Sequence, residues 1–125
     1  MIYIVQNARA ILLATIAGLL VGAVFYPAGR RRLGWLVTAF VAEFWFAAIL
    51  AGALILAPAK ADPWVMAIGT AVVIWIGFIV PVLVVTLRAR AVAVVEVGRD
   101  VLHWLIVMTV EAAVLHAVGL TAPAP

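Results

Sequence analysis

Four apolar runs constrain this chain more than any other feature: residues 10–27, 34–57, 64–87 and 101–119. Each has about the 20 residues that a helix needs to cross ~30 Å of hydrocarbon. Lipid offers no partner to an exposed backbone N–H or C=O, so helices are the viable form for such runs. Leu and Ala dominate the first two. Val and Ile are frequent in the third, but its length rules out an ordinary strand. Of the 125 residues, 70% are hydrophobic, and the mean hydropathy is +1.35. A chain this small could not hide so much apolar surface from water. The expected fold is all-α: an integral membrane four-helix bundle, with residues 1–125 forming one domain.

The charges suggest a topology. Six of the eight basic residues (Arg30, Arg31, Arg32, Arg88, Arg90 and Arg99) fall in the first and third loops. Arg9, Lys60 and the offsetting Asp62 fall on the other side. The positive-inside rule then puts loops one and three in the cytoplasm and both termini on the non-cytoplasmic side. Interfacial aromatics agree, with Tyr26, Trp35 and Trp104 at the cytoplasmic level and Tyr3 and Trp64 at the other. The net charge of +3 comes from these flanking residues, so it argues for membrane topology and against a nucleic-acid face. The first run, followed directly by "GRRR" and a second span, reads as an uncleaved span and not a signal peptide. "RARAVAVVEVGRD", residues 88–100, reads as a short interfacial helix or a continuation of span three.

Two segments echo each other. "LGWLVTAFVAE" and "LHWLIVMTVE" both begin Leu-x-Trp-Leu and end on a glutamate, Glu43 and Glu111. Both spans run inward from the cytoplasmic face, which sets both carboxylates roughly 10–12 Å below it at 1.5 Å per residue. "GAVFYP" in span one and "GFIVP" in span three echo more loosely. The chain reads as two tandem helical hairpins in a parallel repeat, with chance similarity as the alternative. Pro81 lacks an N–H, and its ring pushes on the carbonyl of Gly77. Glu43, Glu111, Gly77 and Pro81 therefore form the candidate polar intramembrane layer. An unpaired carboxylate in hydrocarbon is costly and tends to take up a proton. Such a layer can act as glue between helices, as a proton or ligand site, or as a contact to a partner.

Ala10, Ala14, Gly18 and Gly22 recur at every fourth position and make a helix-packing or docking face. His103 reads as interfacial and His116 as a packing residue, and a haem would need a dimer to complete its ligands. Trp45 and Trp75 lie mid-membrane, as packing residues or as walls for an apolar ligand. There is no cysteine, phosphate loop, HExxH or nucleophile–base pair, so neither an enzyme nor a cofactor is expected.

"GAVFYPAGRRRLGW", "WIGFIVPVLVV" and "GRDVLHWLIVMTVEAAVLHAVG" resemble a family of small four-helix bacterial membrane proteins catalogued as domain of unknown function 1761. The resemblance runs from about Ile11 to Gly119. Phe25 stands where the family usually has Trp, and the arginine run replaces Phe-Gly-Lys. The resemblance implies four spans in a bacterial plasma (inner) membrane and carries no activity. The expected role is a non-catalytic accessory or scaffold subunit of a larger membrane complex. The alternative is a small homo-oligomeric transporter or proton-coupled carrier that uses the two glutamates. The partners expected are the lipid bilayer and either copies of the chain or a larger complex.

Overall fold

The computed structural model describes residues 2–26 and 32–124. Among them there are helices and no strands. A short α1 (Ile2–Gln6) leads through Asn7 into α2 (Ala8–Phe25). After the first loop come α3 (Leu33–Leu56) and α4 (Pro63–Ile74). A π-helical turn (Trp75–Ile79) joins α4 to α5 (Val80–Ala89), and α6 (Val94–Val118) completes the bundle. Four of these units are long and apolar enough to cross a membrane: α2, α3, the α4–π–α5 unit and α6. The protein is an all-α, multi-pass membrane protein. Arg30 and Arg31 of the charge pattern and Pro27 of the "GAVFYP" echo lie outside the described residues.

Contacts are most extensive between α2 and α6, followed by α2–α3 and α4–α6. The small-residue stripe explains the first. Ala10, Ala14, Gly18 and Gly22 are all buried, letting neighbouring backbones come close. This stripe is therefore used inside the chain and is not free to dock another subunit. Within the second hairpin the α4–π–α5 unit packs on α6 more extensively than α2 packs on α3 in the first, and α2 also pairs with α6 while α3 and α4 touch little. Span three lacks an equivalent stripe. Only 6% of its most apolar window is buried, against 28–33% for the other three spans.

Sequence chemistry places the helix ends. Asp62 caps α4 by accepting a hydrogen bond from the Trp64 N–H at 2.9 Å, with Pro63 in the first turn, where no N–H is needed. Gly119 closes α6 at φ 88°, a region that favours glycine. Pro81 is accommodated by the π turn, in which the Val80 N–H reaches the Trp75 carbonyl five residues back. Such wide turns relieve the clash of a proline ring with the turn before it.

The 88–100 segment departs from the expectation. The chain turns at residues 90–93, and from Val94 onward it belongs to span four. Nothing in Val94–Asp100 breaks a helix apart from Gly98, so the apolar run simply extends outward past the charges.

At the opposite end the termini are tied together. The Asn7 amide donates to the Thr121 carbonyl at 2.9 Å, and its oxygen accepts from the Thr121 N–H at 2.7 Å. Trp64 packs edge-on against His116 with ring centroids 4.4 Å apart. Tyr3 lies over Gly52, where an added Cβ would meet its hydroxyl at 2.9 Å. Asn7→Ala removes both bonds of the tie. It should cost about 1–2 kcal/mol of stability, read by unfolding in detergent, and should open residues 119–124 to proteolysis. Unchanged cleavage there would show that packing alone holds the tail.

Candidate functional site

Glu43 and Glu111 come together across α2. Both carboxylates reach the face of Gly18: an added Cβ there would collide with Glu43 Oε2 and meet Glu111 Oε1 at 2.9 Å. One turn along, a Cβ on Gly22 would sit 3.6 Å from His103 Nε2 and 4.0 Å from Glu43 Oε1. Glu43 therefore spans a ladder, with Glu111 at the Gly18 rung and His103 at the Gly22 rung. Glu43, Glu111 and His103 are 6%, 0% and 3% exposed. Glu43 Oε2, both Glu111 oxygens and both His103 ring nitrogens are buried without a hydrogen-bond partner. Polar atoms so enclosed are costly to leave unpaired. Five of them around one pair of glycines make this the most polar point of the interior.

His103 is enclosed by the bundle. The helix begins at Val94, which carries His103 about 13 Å along α6. Its ring meets Phe25, Tyr26 and Trp104 at centroid distances of 5.1, 5.0 and 5.6 Å. Gly77 and Pro81 do not join the glutamates. Both are exposed, and nothing lies within 4 Å of a Cβ built on Gly77. Two of the expected four residues thus meet, and Gly18, Gly22 and His103 take the other places. Trp75 turns inward to donate to the Val101 carbonyl at 2.9 Å, while Trp45 is exposed on the outer face.

A pocket of about 260 Å³ opens beside the ladder, between α2, α3 and α6. Its walls include Tyr26, Trp35, Thr38, Glu43, His103 and Trp104. Tyr26 sits at its mouth, edge-on to Trp35 at 5.8 Å, and its hydroxyl donates to Asp100 Oδ1 at 3.4 Å. Burial, then the charge of Asp100 and the bond to it, push the Tyr26 phenol up to about 12. Arg99 is held nearby on the Phe25 carbonyl at 2.6 Å. A second pocket, about 450 Å³, lies at the terminal end between the 54–67 segment and residues 116–122, with His116 as its one ionisable wall.

The titratable series Asp100, Tyr26, His103, Glu43 and Glu111 leads from the arginine-bearing end into the bundle centre. Beyond Glu111 the path is dry. Thr15 turns its hydroxyl onto the Ile11 carbonyl at 2.8 Å, and Ile11, Leu50, Met108 and Leu115 fill the core. Among the described residues no group of three or more His, Asp and Glu could hold a metal ion. Comparisons with known families, curated proteins and solved structures found no match for the chain.

The sequence signal for Gly18 and Gly22 was their register with the stripe, but only the fold shows them facing carboxylates. Gly18→Ala should push the glutamates apart and lower stability by about 1–3 kcal/mol in detergent unfolding. Gly22→Ala should be tolerated, as should Gly34→Ala, where a Cβ meets nothing within 4 Å. Equal effects at Gly18 and Gly34 would mean that the carboxylates move aside freely. For Tyr26, folding raises the pKa above its ordinary 10.0, so its stabilisation is complete below that value and is lost as pH rises towards 12. Alkaline spectrophotometric titration should find one late phenol that Tyr26→Phe removes. A Tyr26 that ionised near 10 would instead have its hydroxyl in water.

Proposed function

We propose that the protein is a small, non-enzymatic, proton-coupled carrier working as a homo-oligomer, with Glu43 and Glu111 as its proton-exchanging groups. The observation that carries this reading is the convergence of both carboxyl groups and His103 on Gly18 and Gly22, with five buried polar atoms unpartnered. Packing glue between helices joins donors to acceptors. Acids left open in the interior are the usual marks of ion and proton paths. Two carboxyls in one dry layer cannot both hold a charge, so a proton gained or lost there changes the whole layer. The series of titratable groups gives protons a way in from the arginine-bearing end. The apolar core beyond Glu111 stops them, as a carrier requires and an open channel does not. One chain of four spans does not enclose a full path, so the reading includes at least a second copy.

The arginine-bearing end is proposed to be cytoplasmic, and the membrane to be a bacterial plasma membrane. Clustered basic residues at one end support the first, and the resemblance to the domain of unknown function 1761 family supports the second.

A second reading, an accessory or scaffold subunit of a larger membrane complex, is favoured by span three. Its outer face is uncovered, with Gly69 and Gly77 open to close approach by another helix.

Proteoliposomes separate the two readings. Under an imposed pH gradient, with small charged and neutral solutes supplied as exchange partners, the wild type should move protons above the rate of protein-free vesicles. Glu43→Gln and Glu111→Gln should each cut that rate about tenfold or more while still assembling, since glutamine keeps hydrogen bonding and loses the titratable proton. Wild-type flux no greater than that of empty vesicles, or full activity in both variants, would remove the carrier reading. A stoichiometric larger partner in the native mass after mild extraction would then move the weight to the accessory role.

A further inference from the structure

The pocket beside the ladder has a chemical character of its own. Trp35, Tyr26, His103 and Trp104 form an unbroken chain of ring contacts along it, with successive centroids 5.8, 5.0 and 5.6 Å apart. Behind them stands Glu43, buried, with one oxygen towards Gly18 and the other towards Gly22, a pocket residue. Among the described residues no lysine or arginine lines the cavity. Arg99 is engaged by the Phe25 carbonyl, and Asp100 accepts a hydrogen bond from the Tyr26 hydroxyl.

Aromatic faces attract cations through the ring quadrupole, and the attraction grows once water is excluded. A carboxylate at the back of such a box supplies the counter-charge. A hard metal ion would need a shell of six or more oxygens, which this lining does not hold. An anion would meet Glu43 directly. A lipid chain would find one wall charged, and a cavity of about 260 Å³ is too short for it. We infer that this pocket is a binding site for a compact organic cation, a quaternary or protonated amine carrying an apolar or aromatic group. The inference deepens the carrier reading and rests on it: it names the substrate class that exchanges with the proton on Glu43. Binding of the cation displaces the proton from neutral Glu43 and leaves the carboxylate as its counter-charge, and reprotonation of Glu43 releases the cation, so charge balances in each half-cycle.

The test is equilibrium binding to the purified full-length protein in nanodiscs, read by calorimetry and tryptophan quenching. The probe is benzyltrimethylammonium. Phenylmethanesulfonate, similar in shape and opposite in charge, is the control. The wild type should bind the ammonium and not the sulfonate, and binding should release protons into a weakly buffered solution. Glu43→Gln should weaken the ammonium by at least about tenfold. If that variant does not fold, Trp35→Leu and Ala39→Phe, which remove a wall and fill the cavity, should show the same loss. Equal binding of the sulfonate, or binding that survives both the Glu43 and the pocket variants, would overturn the inference. Absence of ammonium binding in a wild type that still moves protons would overturn it too, and would leave the carrier reading standing. Ammonium binding of the expected kind without any proton flux in vesicles would keep the site and remove the carrier.

Discussion

Hydrocarbon cannot solvate a carboxyl group, and this chain buries two of them. The rest of the bundle follows from how it does so. The side of α2 facing inward carries no side chain at Gly18 or Gly22, so the glutamates of α3 and α6 and the imidazole of α6 can close on its backbone. The same absence of bulk lets α2 and α6 make the most extensive contact of any two helices. Close packing and polar enclosure are thus one feature seen twice. The apolar plug of Ile11, Leu50, Met108 and Leu115 then separates that layer from the terminal end, so the molecule is polar in one half of its depth and dry in the other.

Much of this was legible in the sequence, because membrane spans are set by length and hydropathy over some twenty residues. A signal averaged that widely tolerates local error. The spans were therefore placed within about two residues of the observed α2 and α3. The start of α6 was not, because the charges of Arg99 and Asp100 look like an interface, and a helix can run past them at the membrane edge without strain. The glutamates were found through the Trp-Leu echo. Their partners were harder to see, since the direction a residue faces depends on helix rotation, which loose small-residue patterns do not specify. Gly77 and Pro81 share the third span's apparent depth, yet they face outward. Depth is one coordinate of three, and position along a span fixes only that one.

The internal echo of the two hairpins also divides in the structure. The second hairpin packs within itself more extensively than the first, and the extensive α2–α6 contact has no counterpart between α4 and α3. The difference traces to the side chains. Span one carries a stripe of alanine and glycine, whereas span three carries Val73, Ile76 and Phe78 turned outward. Span three also holds the π turn, and with it a stretch of helix whose backbone bonding is shifted by one residue. The third span is consequently the least buried of the four, and the part most free to be shared with another helix.

The clasp between Asn7 and Thr121 has a practical reading. It brings residues 114 positions apart in sequence into hydrogen-bond contact on one side of the bundle. Two copies fused tail to head would therefore need only a short tether, with no added crossing, and both would insert with the same polarity. Such a tandem cannot form an assembly in which neighbours point in opposite directions. The clasp thus makes the relative direction of neighbouring subunits a property that gene fusion can fix from outside.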